Sequence, residues 1–306
     1  DQRWNVTHIG SGYYKIISYV SGYALTAPSQ NNESITQTEY DPSNNAQKWI
    51  VTIVGDGSYK LSPLSDTSSY MAVSGSWGGE NGRNVEKRAD QSDGKDEWTL
   101  HRMLPLSGYE IEYDPDSWNT DDIQPYNNCY LYALNGQNSE DNNIYCTQPG
   151  QESDNSIFYY TQTETNNNIP IFKMNIENAS AICDAVMADS ASLDFLFRNI
   201  GKYDTCPEGS YKIALVMDFY DNPNIDNTIY YYGTYCIEEP DIDYHWYRQN
   251  PDGTWSHKSG QSEVTNLDAS GELIFDPEIC DRNYETSSGI NYNEFIGYFA
   301  VTPLDN

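Results

Sequence analysis

The stretch that decides the fold of the N-terminal part is Asn44-Asn45-Ala46-Gln47-Lys48-Trp49-Ile50-Val51. Its centre is a Gln two positions before a Trp, followed by apolar residues. The same pattern occurs at Gln2-Arg3-Trp4-Asn5-Val6 and, in weakened form, at Asp96-Glu97-Trp98-Thr99-Leu100. The three Trp residues are therefore 45 and 49 residues apart. A nearly constant spacing of this size indicates an internally repeated architecture.

Two further blocks follow the first two Trp residues in the same order. Tyr13-Tyr14-Lys15-Ile16 matches Ser58-Tyr59-Lys60-Leu61, and Gly22-Tyr23-Ala24-Leu25 matches Tyr70-Met71-Ala72-Val73. Short runs of alternating polarity lie between the blocks and are interrupted by Gly, Asn, Asp and Ser. This pattern is typical of strands and turns, and it predicts about four strands in each repeat.

These repeats resemble the ricin-B-type lectin family, whose β-trefoil repeats end in Gln-x-Trp. The resemblance covers residues 1–104 and implies that the Trp and Gln side chains have mainly structural roles. Only two full repeats are present, and Trp4 ends a repeat whose beginning is missing. We therefore predict an N-terminal β-trefoil-like lobe that is incomplete, unless the C-terminal domain or another chain fills the third position.

Sugar binding in that family uses an Asp shortly after the strand that contains the aromatic-Ala-Leu block. Here the corresponding positions hold Thr26 in the first repeat and Val73 or Ser74 in the second. The resemblance thus implies a lectin fold without the usual sugar-binding carboxylate. The alternatives are a polar loop with one exposed aromatic residue, or a residual glycan site. The candidates for that site are Gln37, Tyr40, Asn44, Trp77 and Asn81.

The composition excludes several classes of partner. The chain has 306 residues and a net charge of −30, from 16 basic and 46 acidic residues, so we predict no nucleic-acid partner and no attraction to anionic membranes. It contains no apolar run of about 18 residues, so no membrane insertion is expected. Six Cys, few Lys and a start at Asp1 without Met favour a mature, secreted protein. Three predicted N-glycosylation sites fit that setting, at Asn5, Asn32 and Asn178.

The chain changes character near Pro105, where Pro and Asp residues interrupt the periodicity. We predict a first domain over residues 1–104 and a second over 105–306. In the second domain, Asn127 or Asn128 can cap a short helix that ends at Gly136, which places Cys129 in the first turn. The helix dipole favours a thiolate there, as a nucleophilic Cys requires.

Residues 181–200 are predicted as a second helix, and residues 211–219 and 273–276 as strands. The tight turn Asn250-Pro251-Asp252-Gly253 joins two strands into a hairpin. His245 lies on the first strand of that hairpin, 116 residues after Cys129. A Cys at a helix start followed by a His on a strand is the order of papain-like enzymes.

The segments Asn128-Cys129-Tyr130 and Asp243-Tyr244-His245-Trp246 resemble domains with a papain-like pattern. The resemblance implies an α+β papain-like C-terminal domain with thiol hydrolase activity of the cysteine protease type. Cys129 would attack a carbonyl, and His245 would take and return the proton. The residue that orients His245 is predicted to be Asp276, with His257, Asn266 and Asp268 as alternatives.

The six Cys residues bear on this hypothesis, because an even number in a secreted protein favours disulfides. Cys183–Cys206 and Cys236–Cys280 are the natural pairs. Cys129 is then either a free nucleophile or bridged to Cys146, which would make the domain inactive. No Cys or His spacing typical of zinc occurs, and we predict neither a metal nor a cofactor.

Three functions remain open at this point. The protein is a secreted thiol hydrolase with a carbohydrate-binding lobe, a lectin-like protein with a catalytically inactive second domain, or a structural subunit of an extracellular assembly. The incomplete trefoil favours self-association into an oligomer or filament, because exposed strand edges and apolar surface need a partner.

Overall fold

The chain divides into two compact units, residues 1–102 and residues 103–306, here called the first unit and the second unit. The structure is a computed structural model. It describes residues 3–55, 57–75, 83–90, 94–139, 147–153, 159–166, 169–175, 179–219, 229–232, 235–238, 242–284 and 290–304.

The first unit is built from β-hairpins. Its strands are β1 (Trp4–His8), β2 (Tyr14–Ser18), β3 (Ala24–Thr26), β4 (Thr36–Thr38), β5 (Trp49–Ile53), β6 (Tyr59–Pro63), β7 (Ser69–Val73) and β8 (Val85–Ala89). The sheet order is β4-β3-β2-β5-β6, with β1 paired to β2, and β7 pairs with β8. A short 3-10 helix, Asn45–Gln47, precedes β5.

The two repeats make the same contacts at their Trp residues. Tyr14 pairs with Trp49, and Tyr59 pairs with Trp98. The Trp49 indole donates to the carbonyl oxygen of Leu25 at 3.0 Å, and the Trp98 indole donates to that of Met71 at 2.9 Å. The Trp98 copy is therefore a true repeat end, although its sequence is degraded.

These equivalent bonds correct the alignment of the two repeats. They match Leu25 with Met71, whereas the sequence blocks match Leu25 with Val73, two positions further along. Thr26 then corresponds to Ala72, so the residue at the sugar-binding Asp position of the second repeat is Ala72 and not Val73 or Ser74. Ala72 is fully buried, and neither repeat carries a carboxylate there.

The core of the first unit surrounds Trp49, which has no exposed surface. Its other buried members are Ile16, Leu25, Ala27 and Leu61, and Trp4, Met71 and Trp98 are among the half-buried residues packed against them. All three repeated Trp residues thus meet in one cluster. The predicted β-trefoil-like fold of this part of the chain is confirmed.

The second unit contains more sheet than helix. Its elements are α1 (Pro115–Trp118), α2 (Cys129–Leu134), β9 (Tyr159–Asn166), β10 (Ile169–Asn175), α3 (Ala179–Asp189), β11 (Phe195–Ile200), β12 (Tyr211–Phe219), β13 (Ile229–Tyr232), β14 (Tyr235–Glu238), β15 (Ile242–Gln249), β16 (Trp255–Lys258), β17 (Val264–Thr265), β18 (Asn283–Tyr284), β19 (Ile290–Asn291) and β20 (Glu294–Pro303). A 3-10 helix, Gln124–Tyr126, precedes α2.

The main sheet of this unit has the order β11-β20-β12-β15-β16-β17, and all its neighbours are antiparallel. A second sheet has the order β13-β14-β10-β9, with β10 parallel to β14. β18 and β19 form a small separate pair. The predicted strand at 211–219 and the hairpin around residues 250–253 are confirmed.

The main sheet is buried on both faces. One face, here called the helix face, carries Leu215, Trp246 and Phe299 and packs against α2 and α3. The opposite face, here called the tyrosine face, carries Tyr247, Trp255 and Tyr298 and packs against Leu104, Ile274 and Tyr292. Successive side chains of a strand point to opposite faces, so neighbours on β15 belong to different clusters.

Two predicted elements of the second unit are wrong. The helix predicted over 181–200 ends at Asp189, and residues 195–200 form β11 because they pair with the long strand β20. Residues 273–276 are not a strand; Leu273 makes only an isolated bridge with Leu267. The described part of this unit has three α-helices, the longest of eleven residues, so the predicted papain-like α+β fold is not confirmed.

Candidate functional site

In the first unit, the Gln of the Gln-x-Trp motif forms a closed polar network. Gln47 is buried and donates to the hydroxyls of Thr26 and Thr38 at 3.1 and 2.8 Å and to the carbonyl oxygen of Glu39 at 2.8 Å. Its carbonyl oxygen accepts from the backbone N–H of Asp41 at 2.7 Å. Since buried amides are stabilised only when hydrogen bonded, Gln47 has a structural role, as the resemblance implies.

The predicted glycan-binding residues of the first repeat make separate local contacts. Exposed Gln37 accepts from the Ser21 hydroxyl at 2.6 Å, and Lys15 Nζ lies 5.1 Å from the centre of the Tyr40 ring. The Asn44 side chain accepts from the N–H of Ala46 at 2.9 Å and caps the 3-10 helix. Trp77 and Asn81 lie outside the described residues.

Sequence reasoning missed Tyr23, which it treated only as part of a repeat block. The structure leaves 51% of its side chain exposed, and its backbone N–H donates to Ser21, the same hydroxyl that binds Gln37. Gly22, with a φ of 71°, lies in the tight turn immediately before Tyr23. A Ser-Gly-Tyr sequence between two strands was the available signal, because Gly permits this left-handed turn.

In the second unit, Cys129 begins α2, as predicted. The Asn128 side chain accepts from the N–H of Leu131 at 3.2 Å, and Asn135, with a φ of 58°, ends the helix. Cys129 itself is buried on the helix face, where its Sγ lies 4.0 Å from the carbonyl oxygen of Tyr244. The local prediction for this helix is therefore correct.

His245 lies on the tyrosine face, on the other side of the sheet from Cys129. Its Nε2 is hydrogen bonded to Nδ1 of His257 at 2.8 Å, and its ring stacks on Tyr292 at 5.1 Å between centroids. Its neighbours Tyr244 and Trp246 occupy the helix face with Cys129. His245 therefore extends from the face of β15 opposite to the one that Cys129 packs against, and the catalytic pairing of the two residues stays a prediction.

The predicted orienting residue, Asp276, has other partners. It accepts from the Tyr298 hydroxyl at 2.5 Å and from the N–H of Glu278 at 3.1 Å, and it pairs with Lys202 at 2.6 Å. The imidazole that contacts His245 belongs to His257, one of the alternatives. Asp276 was favoured because it was expected to end a strand, and no strand forms there.

Burial keeps both imidazoles neutral. Desolvation is the main cause that lowers the pKa of His257 to about 4, and desolvation followed by the charge of His257 holds the pKa of His245 well below its usual value. His257 Nε2 lies 3.0 Å from the carbonyl oxygen of Leu267. A base that must accept a proton near neutral pH needs a pKa near neutrality, so this environment does not suit general-base catalysis.

The predicted disulfides are not formed. Cys129, Cys183, Cys206 and Cys280 are all thiols in the structure, so neither Cys183–Cys206 nor Cys236–Cys280 is bridged. Desolvation raises the pKa of Cys183 and Cys206 to about 11 and that of Cys280 to about 12. These thiols are therefore protonated at neutral pH. Cys146 lies outside the described residues, as does the side chain of Cys236.

The comparisons with known proteins concern mainly the first unit. The family described as "Ricin-type beta-trefoil lectin domain-like" matches residues 1–88. Residues 1–88 are a ricin-type β-trefoil lectin domain. Below, the name lectin domain is used for the whole first unit, residues 1–102, which contains this match and both Trp contacts.

One relative extends beyond the lectin domain. "Insoluble matrix shell protein 1" of Ruditapes philippinarum is 29% identical over 191 residues, which cover 62% of this chain and 90% of that protein. Because the first unit has only 102 residues, this match must include part of the second unit.

Two solved structures resemble the lectin domain. The designed three-fold symmetric protein ThreeFoil is 25% identical, with 33% of this chain and 71% of that chain covered and a TM-score of 0.30. The ricin B-like lectin of Macrolepiota procera, in complex with lactose, is also 25% identical, with 28% and 58% covered and a TM-score of 0.23.

The described residues show no cluster of three or more His, Cys, Asp or Glu that could hold a metal ion. In the same part of the chain, no helix has the length and hydropathy to cross a bilayer. The sequons at Asn5 and Asn32 are exposed on the lectin domain, while Asn178 lies outside the described residues. Glycosylation of these three residues stays a prediction.

Proposed function

We propose that this protein is a non-enzymatic, extracellular matrix-type protein that binds glycans through its lectin domain. The observation that carries the proposal is a contrast within the chain. The lectin domain retains two repeats whose terminal Trp residues make equivalent hydrogen bonds, although Asp96 replaces the Gln in the second. The second unit, by contrast, encloses Cys129 in the core of the helix face and holds His245 among aromatic rings on the opposite face.

The relative from Ruditapes philippinarum supports the extracellular, structural part of the proposal. Its name describes an insoluble shell matrix protein, and the match covers 90% of that protein. A scaffold role for the second unit is consistent with its double-sided core, which encloses the candidate nucleophile, 5% exposed, rather than presenting it to a substrate.

We propose a glycan-binding surface on the first repeat at Gln37 and Tyr40, and Trp77 and Asn81 of the second repeat remain predicted binding residues. Gln37 is exposed and offers an amide nitrogen, and Tyr23 adds an exposed ring beside Ser21. Rings that stack on a sugar and amides that bind its hydroxyls can replace part of the binding that an Asp at this position would provide. Asn44 is not part of this surface, because its side chain caps a helix.

The test is retention of the full chain on insoluble polysaccharides, chitin, cellulose and β-1,3-glucan, together with a glycan array. We expect retention that Trp77→Ala and Gln37→Ala each weaken by about ten-fold. Tyr203→Ala removes a comparably exposed ring from the second unit and serves as the matched control, with no expected effect. A blank array combined with no retention on any of the three polysaccharides would contradict the proposal.

The non-enzymatic part has its own test. Iodoacetamide should leave Cys129 unlabelled in the native protein and label it after unfolding, because only 5% of its surface is exposed. Rapid native labelling of Cys129, ahead of the half-buried Cys183, would show that the thiol is accessible and would reopen the hydrolase hypothesis.

Self-association is a second part of the proposal. Within the described residues, β1 pairs only with β2, which leaves its other edge unpaired, and 46% of Val6 on this strand is exposed. Edges of this kind accept a further strand. Light scattering over a salt series should show growing particles, since salt screens the charge of −30. A monomer at every salt and protein concentration would exclude this part alone.

A further inference from the structure

The second unit contains a cavity that none of the roles described above uses. Its volume is about 580 Å³, within the range of small-molecule sites. It opens on the tyrosine face of the main sheet, beside the end of β16 that leads into β17. The lining residues used below are His257, Thr265, Leu267, Asp268, Tyr284 and Tyr292.

Aromatic rings form the wall of this cavity and are held firmly in place. His257 is fixed at both ring nitrogens, by His245 at 2.8 Å and by the Leu267 carbonyl oxygen at 3.0 Å. Tyr292 donates its hydroxyl to Asp243 at 2.8 Å, and the Tyr284 ring lies edge-on to Tyr292 at 6.3 Å. A rigid aromatic wall lets a flat apolar ligand face bind without the cost of ordering side chains.

The rim of the cavity is polar but almost uncharged. Ser259, Ser262, Thr265 and Ser270 supply hydroxyls. Asp268 is the only carboxylate among the described lining residues, and its oxygens accept from the N–H groups of Ser270, Glu272 and Asp281. None of these residues is basic apart from His257, whose lowered pKa keeps it neutral.

We propose that this cavity binds a neutral sugar residue and gives the protein a second glycan site. A sugar has an apolar C–H face and several hydroxyls. The half-buried Tyr284 offers a ring for the C–H face, because His257 and Tyr292 are almost fully buried, and Ser and Thr hydroxyls can bond to those of the sugar. An anionic ligand is disfavoured because the wall offers no cation and the chain carries a charge of −30. The inference rests on the proposed glycan-binding function and assigns it a second location.

The experiment uses the full chain and three probes, the hexasaccharides of β-1,4-linked N-acetylglucosamine, β-1,4-linked glucose and β-1,3-linked galactose. Hydrogen exchange followed by mass spectrometry locates the binding. At least one probe should slow exchange in residues 257–284, separately from any effect in residues 14–54. Protection confined to residues 14–54 would overturn this inference and leave the proposed function intact, whereas no protection anywhere would contradict both.

Two substitutions test the cavity itself by titration calorimetry. Leu267→Trp fills the cavity from an exposed rim position, and Tyr284→Ala removes a wall ring; each should weaken binding to this site by about ten-fold or more. Tyr109→Ala, which removes a more exposed ring elsewhere in the second unit, should change nothing. If Tyr284→Ala unfolds, Leu267→Trp decides alone, and wild-type affinity in that variant would overturn the inference.

Discussion

The two units solve the problem of building a core in different ways. The lectin domain centres on Trp49, whose single polar atom is satisfied by a backbone carbonyl oxygen. The second unit instead buries charged and titratable groups inside its main sheet, including His245, His257 and Arg248. Arg248 reaches the carbonyl oxygens of Tyr132 and Glu112 rather than a carboxylate.

This difference explains why one unit can be interpreted from sequence more safely than the other. The motif that makes the Trp contact occurs more than once in the sequence, so the interpretation of one copy can be compared with the other. A buried His appears once, and its residue type suggests catalysis as readily as packing. The comparison also implies that the two units respond to different perturbations, which three experiments can test.

The largest expected effect concerns the repeated Trp residues. Trp49→Ala should lower the free energy of unfolding of the lectin domain by about 3–5 kcal/mol, because it empties the centre of the core and removes a hydrogen bond. Trp98→Ala removes the same bond from a half-buried position, so its cost should be clearly smaller. Urea denaturation of the full chain, with hydrogen exchange to assign each transition to a unit, measures both. Equal costs for both variants would show that the repeats do not differ in burial as described.

The second experiment is an acid titration of each unit. The folded pKa of His257 is about 4, below its ordinary value of 6.5, so the unfolded state binds protons first. The stabilisation is therefore complete above pH 6.5 and is lost as the pH falls towards 4, at a cost on the order of 3 kcal/mol. In the lectin domain, hydrogen bonds from Ser68 and Ser69 lower the pKa of Asp66 to about 2. The stabilisation from this carboxylate is therefore lost only as the pH falls below its ordinary pKa of 3.8.

We therefore expect the second unit to become unstable at a higher pH than the lectin domain. Denaturation at a series of pH values between 7 and 4, monitored by hydrogen exchange in each unit, tests this order. His257→Gln should flatten the pH dependence of the second unit, and His8→Gln, at an exposed position in the lectin domain, should not. Parallel loss of stability in both units across this range would refute the assignment.

The smallest effect concerns a carboxylate that the lectin domain buries. In the weakened repeat, Asp96 replaces the Gln, has no exposed surface, and pairs with Lys60 at 3.1 Å. Lys60→Met should cost about 2 kcal/mol, because it leaves a buried carboxylate without its cation. Adding Asp96→Gln should restore most of that loss, since Gln47 fills the equivalent position as a neutral amide. A double variant no more stable than Lys60→Met, measured by urea denaturation, would mean that the two positions are not equivalent.

Much of the lectin domain could be predicted from the sequence because its signals are local and repeated. The Gln-x-Trp motif and the alternating runs identified the fold. The exact alignment of the two repeats could not be predicted. The sequence aligns Ala24 with Ala72, whereas the Trp hydrogen bonds match Leu25 with Met71. Only the geometry of the Trp contacts resolves that shift of two residues.

In the second unit, some local elements were predictable, whereas others and the arrangement of the elements were not. Asn128 as a cap and the hairpin around residues 250–253 follow from residue preferences. The face on which His245 lies depends on the register of β15 with β12, a long-range pairing that leaves no local trace. A shift of one residue would turn the side chain of His245 to the face against which Cys129 packs.

The contact between the two imidazoles also fixes where their protons reside. Leu267 can only accept, so His257 carries its proton on Nε2, its Nδ1 is bare, and His245 must donate from Nε2. Both rings are thus held in the same tautomer. A proton added to Nδ1 of His257 would face the N–H of His245, unless His245 moved its own proton from Nε2 to Nδ1. A second added proton cannot be accommodated without separating the two rings. Protonation of one ring therefore opposes protonation of the other, so the two histidines titrate as a coupled pair.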